Sequence, residues 1–150
     1  MRSVILVAGV FAALGLSACD SSKTDDTPAP VATKSMARPA QMYAGQENIA
    51  KVDTAAIKLN ADGSLGMQAS GATASAGYKN LGFLPRINAA PPKDGVYEVD
   101  VVGDKPAAAG AQALTPVEVT GAWPNYSKEH LKGVKAYSKT NSVVAMLPAG

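Results

Sequence analysis

The stretch Ala55-Ala56-Ile57-Lys58-Leu59-Asn60-Ala61-Asp62-Gly63-Ser64-Leu65-Gly66-Met67-Gln68-Ala69 holds two alternating runs either side of a turn. Ala55, Ile57 and Leu59 alternate with Ala56, Lys58 and Asn60; Leu65, Met67 and Ala69 alternate with Gly66, Gln68 and Ser70. Period two is the side-chain repeat of a strand. Asp62-Gly63 between two such runs supplies a turn, because Gly takes positive φ without steric cost. The stretch predicts a β-hairpin.

The same grammar continues downstream. Tyr97, Val99 and Val101 alternate with Glu98 and Asp100, and the strand is launched by the turn Pro92-Lys93-Asp94-Gly95. Val117, Val119 and Trp123 share a face opposite Glu118 and Thr120. Segments 133–139 and 143–147, separated by Thr140-Asn141-Ser142, predict a closing hairpin. No segment past the N-terminal leader keeps apolar residues at i, i+3, i+4 and i+7 over three turns. The best helical candidate is one turn with Ser127 as N-cap, followed by Lys128-Glu129-His130-Leu131. Short strands with turn signals about every ten residues predict a small immunoglobulin-like β-sandwich. Two long loops are expected, 78–92 and 103–113.

Composition agrees with this. Charged residues make up 17% and aromatics 5%, so the palette is one of small and β-branched residues rather than of Glu, Lys and Leu helices. The net charge of +2 is too small to imply nucleic acid or an acidic substrate. Residues 20–45 contain Pro28, Pro30 and Pro39 and show no apolar period; such a segment cannot offset the entropy of ordering and reads as a flexible tether.

Little in the chain announces chemistry. His130 is the single histidine and Cys19 the single cysteine, so neither a disulfide nor a cysteine-type zinc site is expected, and no metal or cofactor. Glu98, Asp100 and Glu118 read as solvent-facing strand positions, whereas a glycosidase needs two converging carboxylates. A non-enzymatic role is therefore expected. Candidate partner-binding residues are Tyr78, Phe83, Leu84 and Arg86 in the first long loop, with Trp123 and Tyr126. The alternative for Trp123 is a plug at the end of the sandwich core. Lys128, Lys132, Lys135 and Lys139 are candidates for contact with an anionic surface, or lysines guarding a sheet edge.

Met1-Arg2 followed by an apolar run from Val4 to Leu16 has the layout of a secretory signal peptide, too short for a spanning helix of about 20 residues. Its ending, Leu16-Ser17-Ala18-Cys19, resembles the lipobox of bacterial lipoprotein precursors. That resemblance implies cleavage before Cys19, a diacylglycerol on its thiol, and anchorage to an inner or outer membrane of the cell envelope. Asp20 resembles the inner-membrane retention signal of enteric bacteria, a rule that does not extend to all bacteria. The pieces Ala74-Ser75-Ala76-Gly77-Tyr78-Lys79-Asn80-Leu81, Gly133-Val134-Lys135-Ala136-Tyr137 and Thr140-Asn141-Ser142-Val143 are similar to small proteobacterial envelope proteins without a known activity, which implies a shared β fold only.

The expected organisation is a leader over 1–18, a lipidated tether over 19–47 and a β-sandwich over 48–150. The expected role is a membrane-tethered envelope module that binds a protein partner or supports assembly, with the domain in the periplasm. The alternative is an inhibitor or ligand-binding lipoprotein that inserts 78–92 into an envelope hydrolase.

Overall fold

The computed structural model describes residues 36–108 and 110–148. The expected leader, Cys19 and the first part of the expected tether lie outside the described residues. Eight strands follow in chain order: β1 (Gln46–Asn48), β2 (Lys51–Leu59), β3 (Leu65–Thr73), β4 (Lys79–Pro85), β5 (Val96–Asp104), β6 (Thr115–Trp123), β7 (Gly133–Tyr137) and β8 (Ser142–Met146). They form two sheets packed face to face, a β-sandwich with no helix among the described residues.

The three-stranded sheet runs β2-β3-β6, all antiparallel. Its first two strands are the hairpin foreseen around Asp62-Gly63, with Leu59 opposite Leu65 and Ile57 opposite Met67. Gly63 takes φ +80°, as the turn requires. In the five-stranded sheet β5 is the hub. On one edge it pairs antiparallel with β4; on the other, β1 takes its last residues and β7 its first. The β5–β7 pairing is parallel, because the chain visits the other sheet as β6 between them. β8 completes this sheet as an antiparallel hairpin with β7.

The core lies between the sheets. Ile57, Leu65, Met67, Ala69 and Val119 come from the smaller sheet; Tyr97, Val99, Val101, Val134, Ala136 and Ala145 face them from the larger. Fully burying a side chain of this kind contributes about 1.5–3 kcal/mol, so this layer accounts for most of the favourable energy.

The sandwich has two ends. The Val96 end of β5 gathers the 60–64 turn, the 86–95 loop, segment 124–132 and Met146, since Gly133 pairs with both Val96 and Met146. The Tyr97–Trp123 ring contact, with centroids 5.8 Å apart, brings the Leu65–Trp123 end of the smaller sheet to the same place. At the Asp104 end, the backbone N–H groups of Lys139 and Thr140 donate to the carbonyls of Ile49 and Ala50. Beside them Asn141 clamps β2: Val52 N donates to Asn141 Oδ1 (2.9 Å) and Asn141 Nδ2 donates to Val52 O (2.6 Å). This side chain imitates a peptide group where the β2 register shifts between Val52 and Thr54.

Four expectations change. Segment 78–92 is not a long loop: residues 79–85 form β4. Its signal was hidden because Asn80 sits at φ +47° beside a register shift between Lys79 and Gly82, and no polar residue alternates with Leu81 and Phe83 thereafter. The chain also joins the fold before residue 48, through β1 and a backbone bridge between Arg38 and Ile87. Leu59 is exposed although it continues the alternation, because it lies at the hairpin tip beyond the opposing sheet. The turn at Ser127 is one weak bond, His130 N to Ser127 O at 3.4 Å, and no helix follows.

The β2 and β3 backbones leave no room for a side chain at Gly71, opposite Val52. A Cβ there would stand 2.2 Å from the Lys51 carbonyl oxygen, an atom the β2–β3 ladder fixes. Gly71→Ala is expected to destabilise the domain by about 3 kcal/mol. A urea titration should show a lower midpoint with unchanged slope.

Candidate functional site

Strand alternation on β5 sends Glu98, Asp100, Val102 and Asp104 to the outer face of the five-stranded sheet. Register places Leu84 and Tyr137 beside Asp100, and Lys135 beside Glu98. Asp100, expected to face solvent, is only 1% exposed. Arg86 covers it with a two-pronged contact, Nε to Oδ2 at 2.9 Å and Nη2 to Oδ1 at 2.8 Å, and Asn48 Nδ2 adds a third bond to Oδ1 at 2.9 Å. A buried carboxylate needs this degree of compensation.

The cluster extends to Glu98 and Tyr137. Arg86 Nη1 reaches Glu98 Oε2 at 3.4 Å, and the Tyr137 hydroxyl donates to Glu98 Oε1 at 3.3 Å. The Arg86 guanidinium carbon lies 3.8 Å from the Tyr137 ring centroid, and Lys135 Nζ lies 4.9 Å from it. The hydrogen bonds to Asp100 raise the Arg86 pKa further, so this cation stays charged at any physiological pH. Glu98 and Asp100 do converge, but on an arginine that occupies their lone pairs.

A second polar pair sits on the inner side at the Asp104 end. The Tyr78 hydroxyl donates to Glu47 Oε1, and Lys139 Nζ meets Glu47 Oε2 at 3.3 Å. Gly103 makes room: a Cβ there would meet Leu81 Cδ2 at 2.7 Å and Tyr78 Cδ1 at 3.4 Å. Burial, then the Glu47 carboxylate, pushes the Tyr78 pKa up to about 12. The Tyr78 hydrogen bond, helped by Lys139, holds Glu47 below the ordinary glutamate value.

The six candidate partner residues are therefore divided. Tyr78 and Phe83 turn inward, Phe83 packing on the core. Leu84 and Arg86 face outward. Trp123 packs edge-on to Tyr97 and 6.4 Å from Tyr126, which is buried, so this trio plugs the Val96 end of the core. The lysines disperse as well. Lys128 lies over the 60–64 turn near Gly63, Lys132 beside Gly95, Lys135 on Tyr137 and Lys139 on Glu47. His130 is exposed in its turn.

The outer face of the three-stranded sheet holds two open depressions of about 260 and 330 Å³, floored by Gly66 and Thr120 in one and Gly71 and Pro116 in the other. No group of three or more His, Cys, Asp or Glu side chains that could hold a metal ion occurs among the described residues. Sequence reading missed Asn48, Glu98, Asp100 and Tyr137 as one cluster with Arg86. The available signal was the pair of acidic residues on one face of an otherwise apolar strand. Comparison with protein-family models, curated proteins and solved structures found no match for this chain.

Two outcomes follow from these networks. Arg86→Met leaves the Asp100 carboxylate buried without its partner and is expected to cost about 3–5 kcal/mol. Replacing both residues, as Arg86→Met with Asp100→Leu, should recover much of that loss in thermal unfolding. The Tyr78–Glu47 pair makes stability depend on pH at both limits. Because the Tyr78 pKa is raised, its contribution is complete below pH 10.0 and fades as pH rises towards about 12. The lowered Glu47 pKa adds stability above the ordinary glutamate value of 4.5, which fades as pH falls. In denaturant midpoints measured across pH, Tyr78→Phe should flatten both limbs relative to the parent.

Proposed function

We propose that this chain is a lipoprotein of the bacterial envelope, acylated at Cys19, whose β-sandwich is a non-enzymatic binding or structural module held at a membrane. The carrying observation is Leu16-Ser17-Ala18-Cys19, which closes an apolar run begun behind Met1-Arg2. One acyl chain binds a bilayer marginally, whereas two or three anchor a domain stably. The domain side of this reading draws support from where the polar side chains are spent. Arg86, Glu98, Asp100, Asn48 and Tyr137 are engaged with one another, and Tyr78, Glu47 and Lys139 likewise.

Anchorage would supply the mechanism. A tethered domain meets partners in the same thin layer at a high effective concentration, so modest intrinsic affinity suffices. The partner in this reading is an envelope protein, and no nucleic acid is involved.

Radiolabelled palmitate should enter the parent protein and not a Cys19→Ala version exported by a cleavable signal. Cross-linking in intact cells, followed by capture and mass spectrometry, should yield one dominant envelope partner that is lost with the lipid. Absence of label from the parent would refute the anchorage.

A further inference from the structure

We infer that the Val96 end of the sandwich is a membrane-docking face, and that it rests on the anionic surface of the bilayer that holds the chain. This inference builds on the lipoprotein reading and adds which surface of the domain meets the lipid.

The described chain begins at this end. Met36 lies two residues from Arg38, which is bonded in both directions to Ile87 (2.9 and 2.8 Å), and Ile87 follows β4 beyond the Pro85–Val99 pairing. The 16 residues between Cys19 and Met36 set an upper limit of about 60 Å on the reach from the lipid to the domain. A span of that length permits contact without forcing it. The face itself must supply the attraction.

Two features of the face supply it. Exposed large apolar side chains gather there: Met36 (89%), Leu59 (58%), Ile87 (57%) and Met146 (55%). Leu59 is at the hairpin tip, and Met146 pairs with Gly133 where β5 and β7 begin. Around them stand exposed basic residues: Arg38, Lys93, Lys128 and Lys132 in the loops of that end, and Lys58 near the end of β2. Apolar side chains rimmed by lysines suit the headgroup boundary, where alkyl groups enter the acyl layer and ammonium groups meet phosphates.

The acidic residues of this end are Asp62, Asp94 and Glu129. Two of them are turned to their own turns. Asp62 Oδ1 accepts from Ser64 N (2.9 Å) and Ser64 Oγ (2.7 Å), and Asp94 Oδ1 accepts from Val96 N (3.0 Å). The Asp104 end differs. Its exposed large apolar groups are Tyr43 and Leu114 alone among the described residues. Of its lysines, Lys51 and Lys139 form ion pairs, with Asp53 at 2.8 Å and with Glu47 at 3.3 Å, while Lys79 and Lys105 are exposed beside Asp104. Among the described residues no salt bridge holds the lysines of the Val96 end.

The test uses the acylated full-length chain in vesicles of phosphatidylethanolamine and phosphatidylglycerol. Cys19 is the single cysteine and carries the lipid, so spin labels can be placed at Leu59→Cys, Ile87→Cys and Met146→Cys, with Tyr43→Cys and Leu114→Cys for the opposite end. Accessibility to a water-soluble relaxing agent should drop severalfold on vesicle binding at 59, 87 and 146, and stay unchanged at 43 and 114. Combined Lys58→Glu, Lys93→Glu, Lys128→Glu and Lys132→Glu changes should restore it. Equal accessibility at all five positions, in protein that still floats with the vesicles, would overturn the docking face and leave the anchorage standing. A Cys19 peptide of unmodified mass, with protein remaining in the aqueous fraction, would overturn the anchorage itself and the docking face with it.

Discussion

β5 has to satisfy three partners at once, and the architecture follows from how it does so. Its nine residues pair with β4 along one edge. Along the other they divide between β7, parallel over Val96–Asp100, and β1, antiparallel over Val102–Asp104. β1 and β7 must therefore lie in line, and the chain must cross to the second sheet to deliver β7 in the parallel sense. The odd residues of β5 fill the core, while its even residues put three carboxylates, Glu98, Asp100 and Asp104, on the outer face. A strand with neighbours on both edges cannot turn those carboxylates away.

The outer face answers that constraint with Arg86. Register between β4 and β5 brings its guanidinium over Asp100, and register between β5 and β7 brings the Tyr137 ring under the same guanidinium. Asn48 arrives from β1 to complete the shell around Asp100. One side chain from each neighbour of β5 thus converges on one buried carboxylate. A shift of any of these strands by one residue would strand that charge, so the cluster fixes register as much as it adds energy. The Tyr78–Glu47 pair does the same at the Asp104 end, joining β1 to the start of β4 across Gly103.

These networks bear on function by removing residues from consideration as well as by placing them. The candidate arginine and all four candidate aromatics, Tyr78, Phe83, Trp123 and Tyr126, are spent in holding the fold. The four lysines of the apparent cluster divide: Lys128 and Lys132 lie at the Val96 end, β7 carries Lys135 on its outer face, and Lys139 lies beyond the opposite end of β7. What gathers instead is an end of the sandwich where exposed apolar side chains, basic loops and the entry of the chain coincide. That grouping draws on residues from 36 to 146 and has no counterpart in any short window of sequence.

Local order in this protein was legible in the sequence wherever period two met a turn residue. The β2–β3 hairpin, β5, the face of β6 and the closing β7–β8 hairpin are all of that kind, because alternation and positive-φ glycine act over a few residues. β4 was not legible: its bulge at Asn80 and its mixed apolar face broke the period. β1 is three residues long and exists only because β5 offers an edge. The buried state of Asp100 was equally out of reach, since its partners lie 14 and 52 residues away in the chain. The sequence by itself determined the strands with a clean alternation, the turns between them and the lipobox-like motif. Only the tertiary structure decided which strands became neighbours, which charges were buried and which side chains were left exposed together, because those outcomes depend on edges and faces supplied by distant segments.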